Sequence, residues 1–234
     1  ITGQSPTVSS KLPSEIGQPS WAGSVHAIQG WMVKLNTYKD IIVQATTAED
    51  IRRAKEDGKG AQMFKLQNTT PIGEDLNNLD FFYGLGVRII QLTYNLRNFV
   101  GDGCTERQDS GLSDFGVRLV EKMNKLGMLV DTGHCGMKTT IDAAEVSKVP
   151  MCATHTFARE IAFEKHPRGK TDEALKAIAE SGGVIGVLAV PMFLKERDAH
   201  VNDFLDHVDY IVKLVGVDHV GIGTDWGYGV FPRE

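Results

Sequence analysis

Hydrophobic and polar positions follow two rhythms along this chain. From Trp21 to Tyr38, the apolar residues Val25, Ile28, Met32 and Leu35 recur at steps of three and four, the spacing of an amphipathic helix. ATTAEDIRRAKEDG then places Thr47 as an N-cap, acidic residues in the first turn and Gly58 as a stop, which predicts a second helix. From there on, short apolar runs alternate with amphipathic stretches. GAQMFKLQN, VRIIQLTYN, MLVDTGH, PMCATHT, VIGVLAVPM and HVGIGTDW read as strands. Between them, NNLDFFYGLG, SDFGVRLVEKMNKLG (capped by Ser113 or Asp114), TTIDAAEVSK, TDEALKAIAESGG and VNDFLDHVDYIVKLVG read as helices. The first twenty residues are rich in Ser, Pro, Gly and Thr and have no apolar period, so they read as an irregular arm.

Strands alternating with helices predict βαβ crossovers and a parallel sheet covered by helices. Two α/β architectures have this pattern, a doubly wound open sheet and a (β/α)8 TIM-type barrel. The open-sheet reading lacks a glycine-rich phosphate loop after its first strand, because the Gly221–Gly223 segment lies inside the last run. Polar residues at the C-terminal tip of strand after strand favour the barrel, where all tips converge on one mouth. Those residues are Gln67 and Asn68, Tyr94 and Asn95, Asp131 and His134, His155, and Asp225. A complete barrel has eight strands and about six are visible. The helix at Trp21 has no strand before it, and no helix follows HVGIGTDW. The reading is therefore an arm over 1–20 and a barrel domain over 21–234, incomplete at the N-terminus and after the last strand.

Composition narrows the function. The 234 residues are 41% hydrophobic and 24% charged, which excludes a disordered chain and a coiled coil. A net charge of -5 argues against a nucleic-acid partner. No apolar run reaches the ~18 residues of a membrane span. The three cysteines, Cys104, Cys135 and Cys152, form no disulfide framework. The compartment stays open between cytoplasm and periplasm.

His134 and His155 each follow an apolar strand directly. A lone strand-end histidine is usually a structural hydrogen bonder; two on successive strands, with an aspartate on a later one, point to a metal or acid–base site. Asp225 can accept a proton, hold an ammonium or bind metal, or else cap a following helix. Asp131 stands three residues before His134, as a carboxylate that orients a histidine would. Arg168 offers a two-pronged grip for a carboxylate or is a solvated loop residue. His166, His200, His207 and His219 read as solvated, and Cys135 as a buried, inert thiol.

The stretches LGVRIIQLTYN, GLSDFGVRLVEKMNKLGMLVDTGH, VPMCATHTFARE with HPRGKTDEAL, and FLDHVDYIVKLVGVDHVGIGTDW together resemble the membrane (renal) dipeptidase family of zinc peptidases from about Thr46 to Trp226. A bacterial branch of that family carries a similar QNT…LTYN pattern. The resemblance implies a (β/α)8 barrel with two zinc ions at its mouth and hydrolysis of dipeptides by a metal-activated water. By the same likeness His134 and His155 match zinc ligands, Arg168 the arginine on the substrate carboxylate, and Asp225 the acid that meets the substrate amino group and moves a proton.

The departures are specific. The family's His-x-Asp pair on the first strand has no counterpart in this chain. Its bridging glutamate is Gln67, a weak neutral ligand; the expected cofactor is one or two zinc ions, the second put in question by Gln67 and by the missing His-x-Asp pair. Its substrate-polarising histidine is Tyr94, whose phenol can still donate to an oxyanion. The expected partner is a small dipeptide-like substrate, with no nucleic acid and no membrane span; a homodimer is an open assembly state. The leading reading is a metallo-dipeptidase, with this segment alone not expected to turn over substrate. The alternatives are a non-peptidase amidohydrolase or tailoring enzyme on the same barrel, and a metal-poor homologue that binds carboxylates without turnover.

Overall fold

The computed structural model describes residues 3–4, 18–195 and 199–225. Most of the 1–20 arm and Trp226 lie outside the described residues. Helix α1 spans Trp21–Thr37, where the Ser20 hydroxyl accepts from the Gly23 N–H at 3.0 Å. Its buried face carries Ile28 and Leu35, whereas Met32 is exposed, so the apolar stripe is narrower than the spacing suggests. Helix α2, Ala48–Glu56, starts with a capping box in which the Thr47 hydroxyl accepts from the Asp50 N–H and the Asp50 carboxylate accepts from the Thr47 N–H. The N–H groups of Thr46 and Thr47, with their hydroxyls, lower the Asp50 pKa to about 2.

Two short strands fall where none was read. Gly3–Gln4 (β1), inside the predicted arm, and Ile42–Gln44 (β2) both pair in parallel with Gly60–Gln62 (β3). Neither carries an apolar run long enough to signal a strand. One residue beyond β3 the same run continues as Phe64–Leu66 (β4).

The remaining strands are Val87–Gln91 (β5), Leu129–Asp131 (β6), Cys152–Thr156 (β7), Val184–Val187 (β8) and Val220–Ile222 (β9). They form a six-stranded sheet in the order β4-β5-β6-β7-β8-β9, every pair parallel. A doubly wound sheet reverses its strand order at a switch point. This sheet never reverses, which is the topology of a barrel wall. The helices between strands are α3 (Asn77–Gly84), α4 (Asp114–Leu126), α5 (Met137–Val146), α6 (Asp172–Glu180) and α8 (Val201–Val215), with a single extra turn, α7, at Pro191–Leu194. Helix α4 is framed by its Ser113 cap and by Gly127 in the left-handed conformation.

Strand alternation separates two environments. Phe64, Leu66, Ile90 and Val130 join one core with the helix residues Leu79, Phe82, Leu119 and Ile178. Lys65 and Asp131 occupy the intervening positions and meet as a buried ion pair, 2.9 Å apart. Close to them, β7, β8 and β9 crowd together. A Cβ on Gly186 would lie 2.2 Å from the Thr154 carbonyl oxygen, and one on Gly223 2.0 Å from it, so both positions require glycine.

Candidate active site

The C-terminal ends of the strands bring the chemistry together. Gln67 follows β4, Tyr94 and Asn95 follow β5, His134 follows β6, His155 lies in β7, and Asp225 follows β9. The Nε2 atoms of His134 and His155 are 2.9 Å apart. The Gln67 amide nitrogen lies 3.4 Å from the first and 3.2 Å from the second. An Asp225 carboxylate oxygen stands 3.9 Å from His155 Nε2. The Tyr94 ring stacks on the His134 imidazole, with centroids 4.1 Å apart and planes 20° apart. These residues, spread over most of the chain, thus share one rim.

Each imidazole is anchored through its other nitrogen. His134 Nδ1 is 2.7 Å from Asn95 Oδ1, an acceptor. His155 Nδ1 is 2.9 Å from the Thr154 hydroxyl, which is itself 2.7 Å from Asp131. Asp131 therefore supports His155 through Thr154, and not the nearer residue in sequence, His134. Burial, followed by the Arg168 and Lys65 charges, lowers the pKa of both histidines well below the ordinary value. Both are neutral at pH 7.

Arg168 is buried and uses two of its five N–H donors on backbone. Nη1 bonds the Gly133 carbonyl, and Nη2 bonds the His155 carbonyl at 2.8 Å. It is no solvated loop residue: it ties the tips of β6 and β7 together. Asp225 sits at the exposed rim with φ +58°. Burial raises its pKa, while Arg168 pulls in the opposite direction. Burial and the Asp225 charge raise the Tyr94 pKa, so the phenol keeps its proton.

Two site cations escaped sequence reasoning. Lys65 is buried beneath the histidines. Lys170 is fully buried, its ammonium donating to the Cys135 carbonyl, and burial lowers its pKa to about 8. The readable signal was a charge in the middle of an apolar strand, FKL. His207 corrects an expectation: it is buried in α8 against Phe157, with ring centroids 5.9 Å apart, because α8 turns it toward the sheet. His219 is held at 2.8 Å by the Gly183 carbonyl, His166 packs on Phe193, and Cys135 is buried as expected.

Two neutral imidazoles and one amide are a sparse donor set for a cation. Among the described residues, no group of three or more His, Cys, Asp or Glu side chains is placed to hold a metal. What is present is a pair of neutral imidazoles whose Nε2 atoms face each other, 2.9 Å apart. Two ligand nitrogens on one tetrahedral zinc lie about 3.3–3.4 Å apart, so the pair observed at 2.9 Å would open by about 0.4–0.5 Å to share one ion. Turning the Gln67 amide presents its oxygen at the same point, but as a neutral donor.

The membrane dipeptidase family model (peptidase family M19) matches residues 27–234. A dipeptidase of the fungus Claviceps purpurea, tcpJ, is 31% identical over 197 residues, which is 82% of this chain and 46% of that protein. The structure of an amidohydrolase from Pseudomonas aeruginosa superposes with a TM-score of 0.89 at 35% identity, covering 98% of this chain and 68% of that one. A metallopeptidase from Rhodobacter sphaeroides, solved with a phosphinate mimic of the dipeptide L-Ala-D-Ala, gives a TM-score of 0.84 at 25% identity over 97% of this chain and 66% of that one. The chain thus spans about half of the curated fungal dipeptidase and about two thirds of the two solved structures. A non-reversing parallel wall, with two histidines converging at its C-terminal rim, carries that likeness in its own geometry: the chain belongs to the membrane dipeptidase family, peptidase family M19.

Proposed function

We propose that this chain forms the catalytic barrel of a zinc-dependent dipeptidase. The observation that carries the reading is the pair of Nε2 atoms 2.9 Å apart, on two buried neutral imidazoles that can present both nitrogens to one cation. His134 and His155 would hold the ion, with Gln67 as a weak third donor and Asp225 adjacent. Zinc, when bound, supplies a Lewis acid and a water of lowered pKa.

The chain's own groups divide the rest of the work. Arg168 keeps unused N–H donors on its guanidinium and offers them to the substrate's free carboxylate. Tyr94 keeps its phenolic proton and donates it to the carbonyl oxygen as negative charge develops there. Asp225, raised in pKa by burial, meets the substrate ammonium and moves a proton toward the departing amine. The L-Ala-D-Ala mimic bound by the Rhodobacter enzyme makes dipeptides with a D-residue at the C-terminal side the first substrates to try.

Metal analysis of the full-length protein, with a panel of dipeptides, tests the proposal. Bound zinc and hydrolysis are expected; no metal and no hydrolysis of any dipeptide would overturn it. A second reading, a non-peptidase amidohydrolase on the same barrel, is favoured by Gln67 and Tyr94 standing where the family's glutamate and histidine do. Tyr94→Phe discriminates: a lowered dipeptide rate supports the dipeptidase reading, and an unchanged rate would show that Tyr94 does not stabilise the oxyanion.

A further inference from the structure

Beneath His155 lies a hydrogen-bond network that the proposed chemistry does not use. Thr154 Oγ1 is 2.9 Å from His155 Nδ1, 2.7 Å from Asp131 Oδ2 and 2.5 Å from Lys65 Nζ. Lys65 Nζ also reaches Asp131 Oδ2 at 2.9 Å. Asp131 is fully buried and Lys65 is 3% exposed. Two backbone N–H groups, of Gly133 and Thr154, donate to the other Asp131 oxygen at 2.9 Å each.

Donor and acceptor chemistry sets the direction of every bond. An ammonium only donates and a carboxylate only accepts. Lys65 therefore donates to the Thr154 oxygen. The single hydroxyl hydrogen goes to Asp131, a charged acceptor that binds it more strongly than an imidazole nitrogen does. What remains on Thr154 Oγ1 is a lone pair, and only a protonated Nδ1 can use it. His155 must then carry its hydrogen on Nδ1 and leave Nε2 bare.

We propose that Thr154, oriented by the buried Lys65–Asp131 pair, is a positioning residue that sets the tautomer of His155. Its consequence for metal affinity rests on the zinc reading above; the tautomer itself does not. The glycines at 186 and 223 belong to the same device, since they let β8 and β9 close on the Thr154 carbonyl and hold that residue in place.

The test uses the full-length protein labelled with 15N-histidine. A long-range 1H–15N correlation spectrum reads the His155 tautomer, and competition against a chromophoric chelator reads zinc affinity. Thr154→Val removes the hydroxyl at constant size and keeps the backbone bond to Asp131; Thr154→Ser restores the hydroxyl. Wild type and Thr154→Ser are expected to show His155 protonated on Nδ1. Thr154→Val is expected to lose that single tautomer and to bind zinc about 10–100-fold more weakly. An Nε2-protonated His155 in metal-free wild type overturns the proposal, and so does a Thr154→Val protein with unchanged tautomer and affinity. Should Thr154→Val fail to fold, the wild-type spectrum decides alone. A wild type that binds no zinc but shows Nδ1–H at His155 supports the relay while sinking the zinc reading.

Discussion

His134 and His155 present their Nε2 atoms to each other at 2.9 Å, while their Nδ1 atoms are tied to Asn95 and Thr154. Burial lowers the pKa of both imidazoles, so neither carries a charge that would repel an incoming cation.

Zinc should stabilise the full-length protein strongly. At a hundredfold excess over Kd the gain is ~2.7 kcal/mol, or ~5–10 °C in Tm for a chain of this size. Thermal denaturation with zinc, and again with chelator, measures it. His155→Ala should abolish the shift.

Arg168→Lys should raise KM for free dipeptides at least about tenfold. The reason is that a lysine cannot hold the Gly133 and His155 carbonyls and grip a carboxylate at once. Dipeptides amidated at the C-terminus should be equally poor substrates for both proteins. Steady-state kinetics on matched pairs of free and amidated dipeptides decide the matter.

His207 makes stability depend on pH. Burial lowers its pKa from 6.5 to about 4, so the neutral form is favoured in the fold. Its contribution is complete above the unfolded pKa and is lost as pH falls from about 6.5 toward 4, by up to ~1.4 kcal/mol per pH unit. His207→Leu, which also removes the unpartnered Nδ1, should flatten urea-denaturation stability across that window.

Gly223→Ala should destabilise by ~1–3 kcal/mol. Its Cβ would meet backbone, the Thr154 carbonyl oxygen at 2.0 Å, which cannot swing aside as a side chain would. Zinc affinity should fall along with stability, because Thr154 supports His155. Chemical denaturation and metal competition on the same variant check both effects.

Much of this was legible in the chain. Thr47 and Ser113 announced their helices because capping is local chemistry between residues three apart. The rim histidines could be found because apolar strands mark where their C-terminal ends must be. Lys65 was harder, since a lysine in an apolar strand acquires meaning only when Asp131, from a strand more than sixty residues later, arrives opposite it. His207 reads as solvated because it lies on a helix, and which face of α8 turns inward depends on the sheet it meets. β2 was too short to show a period.

Asp225 holds a left-handed backbone, φ +58°, which costs a residue other than glycine on the order of 1 kcal/mol. Glycine there would relax the turn and delete the carboxylate. A laboratory screen for heat tolerance and one for turnover should accordingly diverge at this codon, the first drifting to glycine or asparagine and the second returning to aspartate each time.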